Sequence, residues 1–399
     1  MKLILIGFGT VGQGLAELLI EKKHDLKRIH GLDCTVVGIS DMLKGSCCSP
    51  EGIDLEAALA KAEAGENLST LPGGCDWDAL EMIANVDADV MCEVTYTDIT
   101  TGQPATDHIR AALARGMSVT TTNKGPTALA SQELMELAAA NDARFLFEGT
   151  VMAGTPLLNL IRETLSGSEI SEMQGILNGT TNFILTRMEG GMDYSAALAE
   201  AQELGYAEAV PDADVLGFDA LAKVTILANT VFGAALAPDD SPCVGITEIT
   251  PDQIEAAAAA GKKYKLIGRV WRDGMAVKAS VGPQLVDTSH PLAGVGGATN
   301  AMTITTGQPA TDHIRAALAK GMSVTTTNKG PVALASRELL ELAAANGARF
   351  LFEGTVMAGT PLLNLIRETL AGSEISEMQG ILNGTTNFIL TRMEGGMDY

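Results

Sequence analysis

Lys2-Leu3-Ile4-Leu5-Ile6 runs directly into Gly7-Phe8-Gly9-Thr10-Val11-Gly12. The first stretch is short, apolar and closed by glycine, the pattern of a strand buried on both faces. Beyond it Val11, Leu15, Leu18 and Leu19 recur at helical spacing. A strand, a tight glycine turn and a helix predict the opening βα unit of a doubly wound sheet. The first glycine makes the turn. The second lets backbone approach a pyrophosphate, and the third lets helix pack on strand. The helix N-terminus offers free N–H groups to phosphate. A tight βα turn without a ligand is the plain alternative.

The alternation continues. Residues 35–39, 88–95 and 117–122 read as strands, and 55–63, 106–114 and 131–140 as helices, with 144–147 closing the half. Such alternation implies right-handed crossovers and a parallel α/β sheet, a Rossmann-type nucleotide-binding domain over residues 1–147. Asp41, at the end of the second strand, is the candidate for a ribose hydroxyl. Lys44 stands close enough to meet a 2′-phosphate, so NAD and NADP both remain open. From Thr150 the character shifts. Residues 170–177 read as a strand entering a turn cluster, Asn178-Gly179-Thr180-Thr181-Asn182. Residues 183–188, 194–204 and 218–232 read as helices, and 265–270 and 275–281 as strands joined through Arg272-Asp273-Gly274. Residues 148–303 are expected to form an α+β second domain.

The chain has 399 residues, 46% hydrophobic and 19% charged, and a formal net charge of −22. That composition supports buried cores. The acidity repels phosphate backbones and anionic lipid, so nucleic-acid and membrane-surface partners are not expected. No apolar run approaches the ~20 residues of a membrane span. The head of the chain reads as a cytoplasmic start rather than a leader. Cys34, Cys47, Cys48, Cys75, Cys92 and Cys243 show neither CxxC pairing nor histidine neighbours and read as reduced thiols.

Residues 99–194 return as residues 304–399, changed only at Arg115/Lys320, Thr127/Val332, Gln132/Arg337, Met135/Leu340, Asp142/Gly347 and Ser166/Ala371. The repeat occurs twice and is too long for a solenoid unit. Both copies enter through Ile-Thr-Thr, at Ile99 and Ile304. It reads as a recombination or assembly junction at that shared tripeptide, with a tandem partial duplication as the alternative.

Three groups of residues carry potential chemistry. Asp219 and Lys223 are four apart and share a helix face. Spacing alone describes an ordinary surface ion pair, but the helix is otherwise apolar and Glu208, Asp212 and Asp214 precede it. A lysine among carboxylates near a cleft can trade a proton with a carbonyl oxygen. Asn123-Lys124-Gly125-Pro126 follows a strand at the carboxyl edge of the sheet, so Lys124 either points into the cleft or is a solvated loop lysine. Residues 148–156 are glycine-containing and irregular; they read as a hinge or as a source of carbonyls for a monovalent cation. The histidines form no cluster and read as structural.

Together these motifs resemble the homoserine dehydrogenase family, in a short form without a regulatory domain, over residues 1–303. The resemblance runs through Gly7–Gly12, Gly102-Gln103-Pro104-Ala105 with His108-Ile109-Arg110, Thr122-Asn123-Lys124-Gly125-Pro126, residues 148–156, Gly175-Ile176-Leu177-Asn178-Gly179-Thr180-Thr181-Asn182, and Gly205-Tyr206-Ala207-Glu208 through Asp214, Gly217, Asp219 and Lys223. It implies a nucleotide domain, a substrate and dimerisation domain forming a homodimer, and interconversion of L-homoserine and L-aspartate 4-semialdehyde with NAD or NADP. It also implies roles. Lys223 would be the acid/base, oriented by Asp219, with Lys124 a second lysine at the reacting centre. Glu208 and Asp214 would hold the substrate amino group, with Thr180 lining the pocket. Thr95, Asn123 and Lys124 would join Gly7, Phe8, Gly9, Thr10, Val11, Gly12 and Asp41 around the coenzyme. Glu148 and the backbone of Val151, Ala153 and Thr155 would match a sodium site.

The chain also departs from the family. The glycine-rich segment and returning helix expected after Met302 are replaced by the repeat, so part of the packing on the nucleotide domain should be missing. The repeat carries Lys329 and Asn383-Gly384-Thr385-Thr386 but no counterpart of Asp219 or Lys223, so it cannot build a second active site. A catalytically impaired chimera and another small-aldehyde dehydrogenase are the alternatives. Chemistry of the latter kind through a nucleophilic cysteine leaves Cys92 as the remote candidate, beside Glu93, an acid expected to raise its pKa.

Overall fold

The computed structural model describes residues 1–165, 169–306, 309–327, 329–352 and Leu363. It contains two units, Met1–Thr305 and Thr306–Tyr399.

The first unit opens with β1 (Lys2–Ile6), α1 (Thr10–Glu21), α2 (Lys23–His30), β2 (Thr35–Asp41), β3 (Gly45–Cys48), α3 (Leu55–Glu63), β4 (Gly74–Cys75), α4 (Ala79–Asn85), β5 (Val90–Glu93), α5 (Ala105–Ala114), β6 (Ser118–Thr121), α6 (Lys124–Ala140) and β7 (Phe145–Leu146). These strands form one sheet in the order β4-β3-β2-β1-β5-β6-β7. Strand alternation explains why its centre is apolar throughout. Ile4 and Ile6 face one side with Val37, Met91 and Val119, while Leu3 and Leu5 face the other with Val36, Ile39 and Cys92. Burying each such side chain is worth about 1.5–3 kcal/mol.

The run β2-β1-β5-β6-β7 is parallel, as the sequence predicts. The edge is not: β3 pairs antiparallel with β2, and β4 antiparallel with β3. These short, cysteine- and glycine-bearing strands carry no periodic signal. Asp41 makes the hairpin, its Oδ1 accepting N–H bonds from Leu43 and Lys44 at 2.9 Å. A second correction concerns Lys124, which is the first residue of α6 rather than a loop residue, because Asn123 caps that helix. On α1, Val11 and Leu18 stand about half exposed, an apolar face without cover among the described residues.

The chain continues through α7 (Leu157–Thr164), β8 (Ile170–Ile176), α8 (Gly179–Glu189), α9 (Tyr194–Glu203), α10 (Asp212–Val215), α11 (Phe218–Thr230), α12 (Pro251–Ala259), β9 (Lys262–Asp273), β10 (Ala276–Asp287) and β11 (Ala301–Thr306). The strands form a second sheet, β10-β9-β8-β11. Residues 178–182 are not a free turn: Asn178 caps α8 and the rest begin it. Asn182, on α8, donates its amide to the carbonyls of Gly297 and Thr299 at 2.9 and 3.2 Å, tying down the glycine-rich stretch before β11.

The repeat begins inside β11. Ile304-Thr305-Thr306 completes this edge strand, with the Ser171 hydroxyl on the Thr305 carbonyl and the Thr303 hydroxyl on the Gln174 carbonyl, both 3.1 Å. The same tripeptide at Ile99 lies in a turn held by Asp98, whose carboxylate accepts the Thr100 and Thr101 N–H groups and the Thr101 hydroxyl. The residue corresponding to Asp98 in the repeat is Thr303, so the turn-making carboxylate is absent.

The second unit contains α13 (Pro309–Ala319), β12 (Val324–Thr325), α14 (Lys329–Ala345) and β13 (Phe350–Leu351). Its core, Ile314, Leu318, Leu339, Ala343 and Phe350, repeats Ile109, Leu113, Leu134, Ala138 and Phe145 of the first unit. The parallel pairing of β12 with β13 repeats that of β6 with β7. Even the kink at Ala130 returns at Ala335. Lys329 is exposed. Residues 383–386 lie outside the described residues.

The two copies should respond differently to one substitution. Ile109→Ala empties a site at the centre of the larger core and should destabilise the first unit by about 2–5 kcal/mol. Ile314→Ala should leave the first unit's transition in place. Urea titrations of the two variants, followed by circular dichroism, check this.

Candidate active site

The parallel strands deliver their loops to one edge. Gly7 follows β1, Val94 and Thr95 follow β5, and Asn123 and Lys124 follow β6. The three glycines have different surroundings. Gly7 has φ +96°, and a Cβ there would lie 2.6 Å from the Val94 carbonyl oxygen. A Cβ on Gly12 would lie 2.4 Å from the Gly7 carbonyl oxygen, whereas one on Gly9 would meet nothing within 4 Å. The second glycine therefore faces open space ahead of α1, where backbone approach to a diphosphate is required. Phe8 is fully buried, whereas Thr10 and Val11 are exposed at the start of α1.

Asp41 is fastened to this turn. Its Oδ2 accepts the Phe8 N–H at 2.7 Å. Burial raises its pKa, but the N–H bonds from Phe8, Lys44 and Leu43 outweigh that and hold it below the ordinary carboxylate value. Asn123 is nearly fully buried, and its amide is spent on the Tyr96 carbonyl and on the Gly125 N–H of α6. Thr95 gives both its N–H and its hydroxyl to the Glu93 carboxylate.

The second half of the site centres on α11. Asp219 and Lys223 are one turn apart there, and Gly217, at φ +87°, starts the helix. Lys223 Nζ donates to Asp219 Oδ2 and to the Leu177 carbonyl, both at 2.6 Å. Lys124 reaches the other oxygen of the same carboxylate, Oδ1, at 3.3 Å. The lysine at the carboxyl edge of the first sheet thus points inward and meets the ion pair of the second domain. The side chains of Lys223, Asp219 and Lys124 are only 11%, 15% and 25% exposed, so this is no solvated surface pair. Burial raises the Asp219 pKa, but Lys223 and Lys124 outweigh it and the carboxyl lies below its ordinary value.

Asn178 completes the cluster. Its Nδ2 donates to Asp214 Oδ1 at 2.6 Å and to Asp219 Oδ2 at 2.9 Å, bridging two carboxylates. Asp214 is shifted up by burial, with the Asp219 charge adding to it. The Thr180 hydroxyl donates to the Tyr206 carbonyl at 2.6 Å. Sequence reasoning placed Asn178 only in a motif; the signal was an amide at a strand-to-helix turn, which reads as a cap and is one, its Oδ1 accepting the Thr181 N–H. Glu208 is not drawn in: it is exposed, and its backbone carbonyl accepts from Gln202.

Glu148, Val151, Ala153 and Thr155 fall on the irregular segment before α7. Both Glu148 oxygens accept N–H bonds at 2.8 Å, from Leu158 and Asn159, so this carboxylate caps a helix. Cys92 is buried in the sheet core, and that burial, with a smaller contribution from Cys34, pushes its thiol up to about 12, which disfavours the thiolate a nucleophile needs. The direction is the expected one, but the cause is burial rather than the neighbouring acid.

The family model described as the NAD binding domain of homoserine dehydrogenase matches residues 7–148. The model described as homoserine dehydrogenase matches residues 156–327 and again 361–399. The second match begins where the repeat returns to Pro156. An NAD(+)-dependent homoserine dehydrogenase of Pseudomonas canavaninivorans is 45% identical over 309 residues, 76% of this chain and 87% of that one. A homoserine dehydrogenase of Methanocaldococcus jannaschii is 39% identical over 344 residues, 86% of this chain and 97% of that one. A hyperthermophilic archaeal homoserine dehydrogenase solved in complex with NADPH superposes with a TM-score of 0.64 at 32% identity, covering 77% of this chain and 88% of that one. The nucleotide turn, the two-lysine cluster and these likenesses agree: the chain belongs to the homoserine dehydrogenase family.

Proposed function

We propose that this protein interconverts L-homoserine and L-aspartate 4-semialdehyde with NAD or NADP. The observation that carries the proposal is the convergence of Lys223 and Lys124 on the Asp219 carboxylate. The turn fits a dinucleotide, because Gly9 leaves open the space in front of α1. When bound, the nicotinamide supplies a hydride to the semialdehyde carbon. The remaining work falls to the chain. An ammonium has three donors. Lys223 spends two, on Asp219 and Leu177, and the third is available to the carbonyl oxygen, where it stabilises developing charge and donates the proton. Asp219 fixes that ammonium, and Lys124 adds positive charge from the other side. Asp214 and Thr180, with Glu208 brought in from its exposed loop, would hold the substrate amino group.

A sodium ion at Glu148, Val151, Ala153 and Thr155 is a further expectation. Its oxygen donor set suits a hard cation, and the Glu148 carboxylate keeps lone pairs beyond those capping α7. A homodimer through the second domain and a cytoplasmic location are proposed with it. In support of the location stand six free cysteines, and no helix among the described residues is long and apolar enough to cross a membrane.

Two outcomes follow. The purified chain should consume NADH or NADPH with L-aspartate 4-semialdehyde, and Lys223→Ala should lower kcat by at least ~100-fold while coenzyme still binds. No turnover by the wild-type chain, or full turnover by the variant, would reject the assignment. The second concerns pH. Asp214 is shifted up and Asp219 down, so Asp214 loses its charge first on acidification, above the ordinary value of 3.8. A carboxyl with a raised folded pKa gains folded-state stability as pH falls, so this group does not cause acid unfolding. The acid limb of kcat/KM should instead reflect weakened substrate binding and disappear in Asp214→Asn.

A further inference from the structure

Glu93 ends β5 at the centre of the first sheet and is fully buried. Its donors are neutral. Oε1 accepts the Thr95 N–H at 3.2 Å and the Thr95 hydroxyl, and Oε2 accepts the Thr121 hydroxyl at 3.0 Å. The basic group beside it is His108, also buried, whose Nδ1 stands 3.9 Å from Oε1 and makes no hydrogen bond. A carboxylate buried among hydroxyls and an imidazole is costly, and an apolar residue would serve the sheet core better. What this carboxylate does is join two loops. On one side it fixes Thr95, on whose N–H and the preceding Val94 carbonyl the Gly7 turn rests. On the other it holds Thr121, whose hydroxyl oxygen accepts the Asn123 N–H at 2.9 Å. Asn123 then ties back to the Tyr96 carbonyl at 2.9 Å and caps α6, whose first residue is Lys124.

We infer that Glu93 is a positioning residue for the reaction. Through Thr95 it sets the floor of the nucleotide turn, and through Thr121 and Asn123 it sets the place of Lys124 against Asp219. The inference rests on the proposed hydride-transfer reading, because it gives Lys124 its importance. Its geometric content concerns the coenzyme turn as well, and a misplacement of about 1 Å at such a site costs on the order of 100-fold in rate.

The full chain is compared with Glu93→Gln, Thr121→Val and Thr121→Ser by NADH fluorescence titration and by turnover of L-aspartate 4-semialdehyde. Glu93→Gln and Thr121→Val should each lower kcat by about 10-fold or more and weaken NADH binding by about fivefold, with KM for the semialdehyde little changed. Thr121→Ser, which keeps the bridging hydroxyl, should stay within about twofold of wild type on both. Where Glu93→Gln fails to fold, the two Thr121 variants decide. Both Glu93→Gln and Thr121→Val within twofold of wild type on both readouts, or Thr121→Ser as impaired as Thr121→Val, would overturn the inference. Wild-type turnover tests the hydride-transfer reading separately. If it is absent, the NADH affinities of the variants still decide whether Glu93 sets the turn.

Discussion

One carboxylate holds two ammonium groups that come from different halves of the chain. Asp219 sits on α11 of the second domain, with Lys223 one turn along, and it meets Lys124 at the head of α6 in the first domain. Each partner is mostly withdrawn from water, so none of the three charges is cheap to hold alone. Together they neutralise much of the cost and fix a cationic centre at the seam. The rest of the unit keeps that meeting in register. α11 lies against α6, with the Asn229 amide donating to the Ala128 carbonyl, and Asn178 braces Asp219 from the N-cap of α8.

Much of this was legible in the residues. Both faces of β1 are apolar, which requires cover on both sides and hence helices around a parallel sheet. The glycine turn follows because each of its glycines meets, or avoids, a different neighbour. The four-residue spacing of Asp219 and Lys223 placed them on one face, and the apolar remainder of the helix indicated that the face was not solvated. The inward direction of Lys124 was open until the Asn123 cap gave it a helix start from which to project.

The misses have physical reasons. β3 and β4 are short and paired at an edge, where one hairpin turn built by Asp41 matters more than any pattern of side chains. Asn178 was invisible as a bridge because its partners, Asp214 and Asp219, lie far along the chain. Glu93 stood out only as the acid beside Cys92, because its partner Thr121 meets it only once two strands pair. Ile-Thr-Thr is a turn after Asp98 and a strand after Thr303, so a tripeptide repeated without change takes its form from the residue before it and from the sheet beside it. The repeated core shows the opposite case, in which five buried positions return together because they pack on one another.

The most direct test of the cationic centre is the single-turnover rate of hydride transfer, followed by NADH absorbance with saturating coenzyme and L-aspartate 4-semialdehyde, in Asp219→Asn beside the wild-type chain. With the clamp between the two lysines removed, the rate should fall by at least ~100-fold while NADH affinity is retained. A rate equal to that of the wild type would show that the two ammonium groups need no shared carboxylate, and the centre described here would not be the seat of the chemistry.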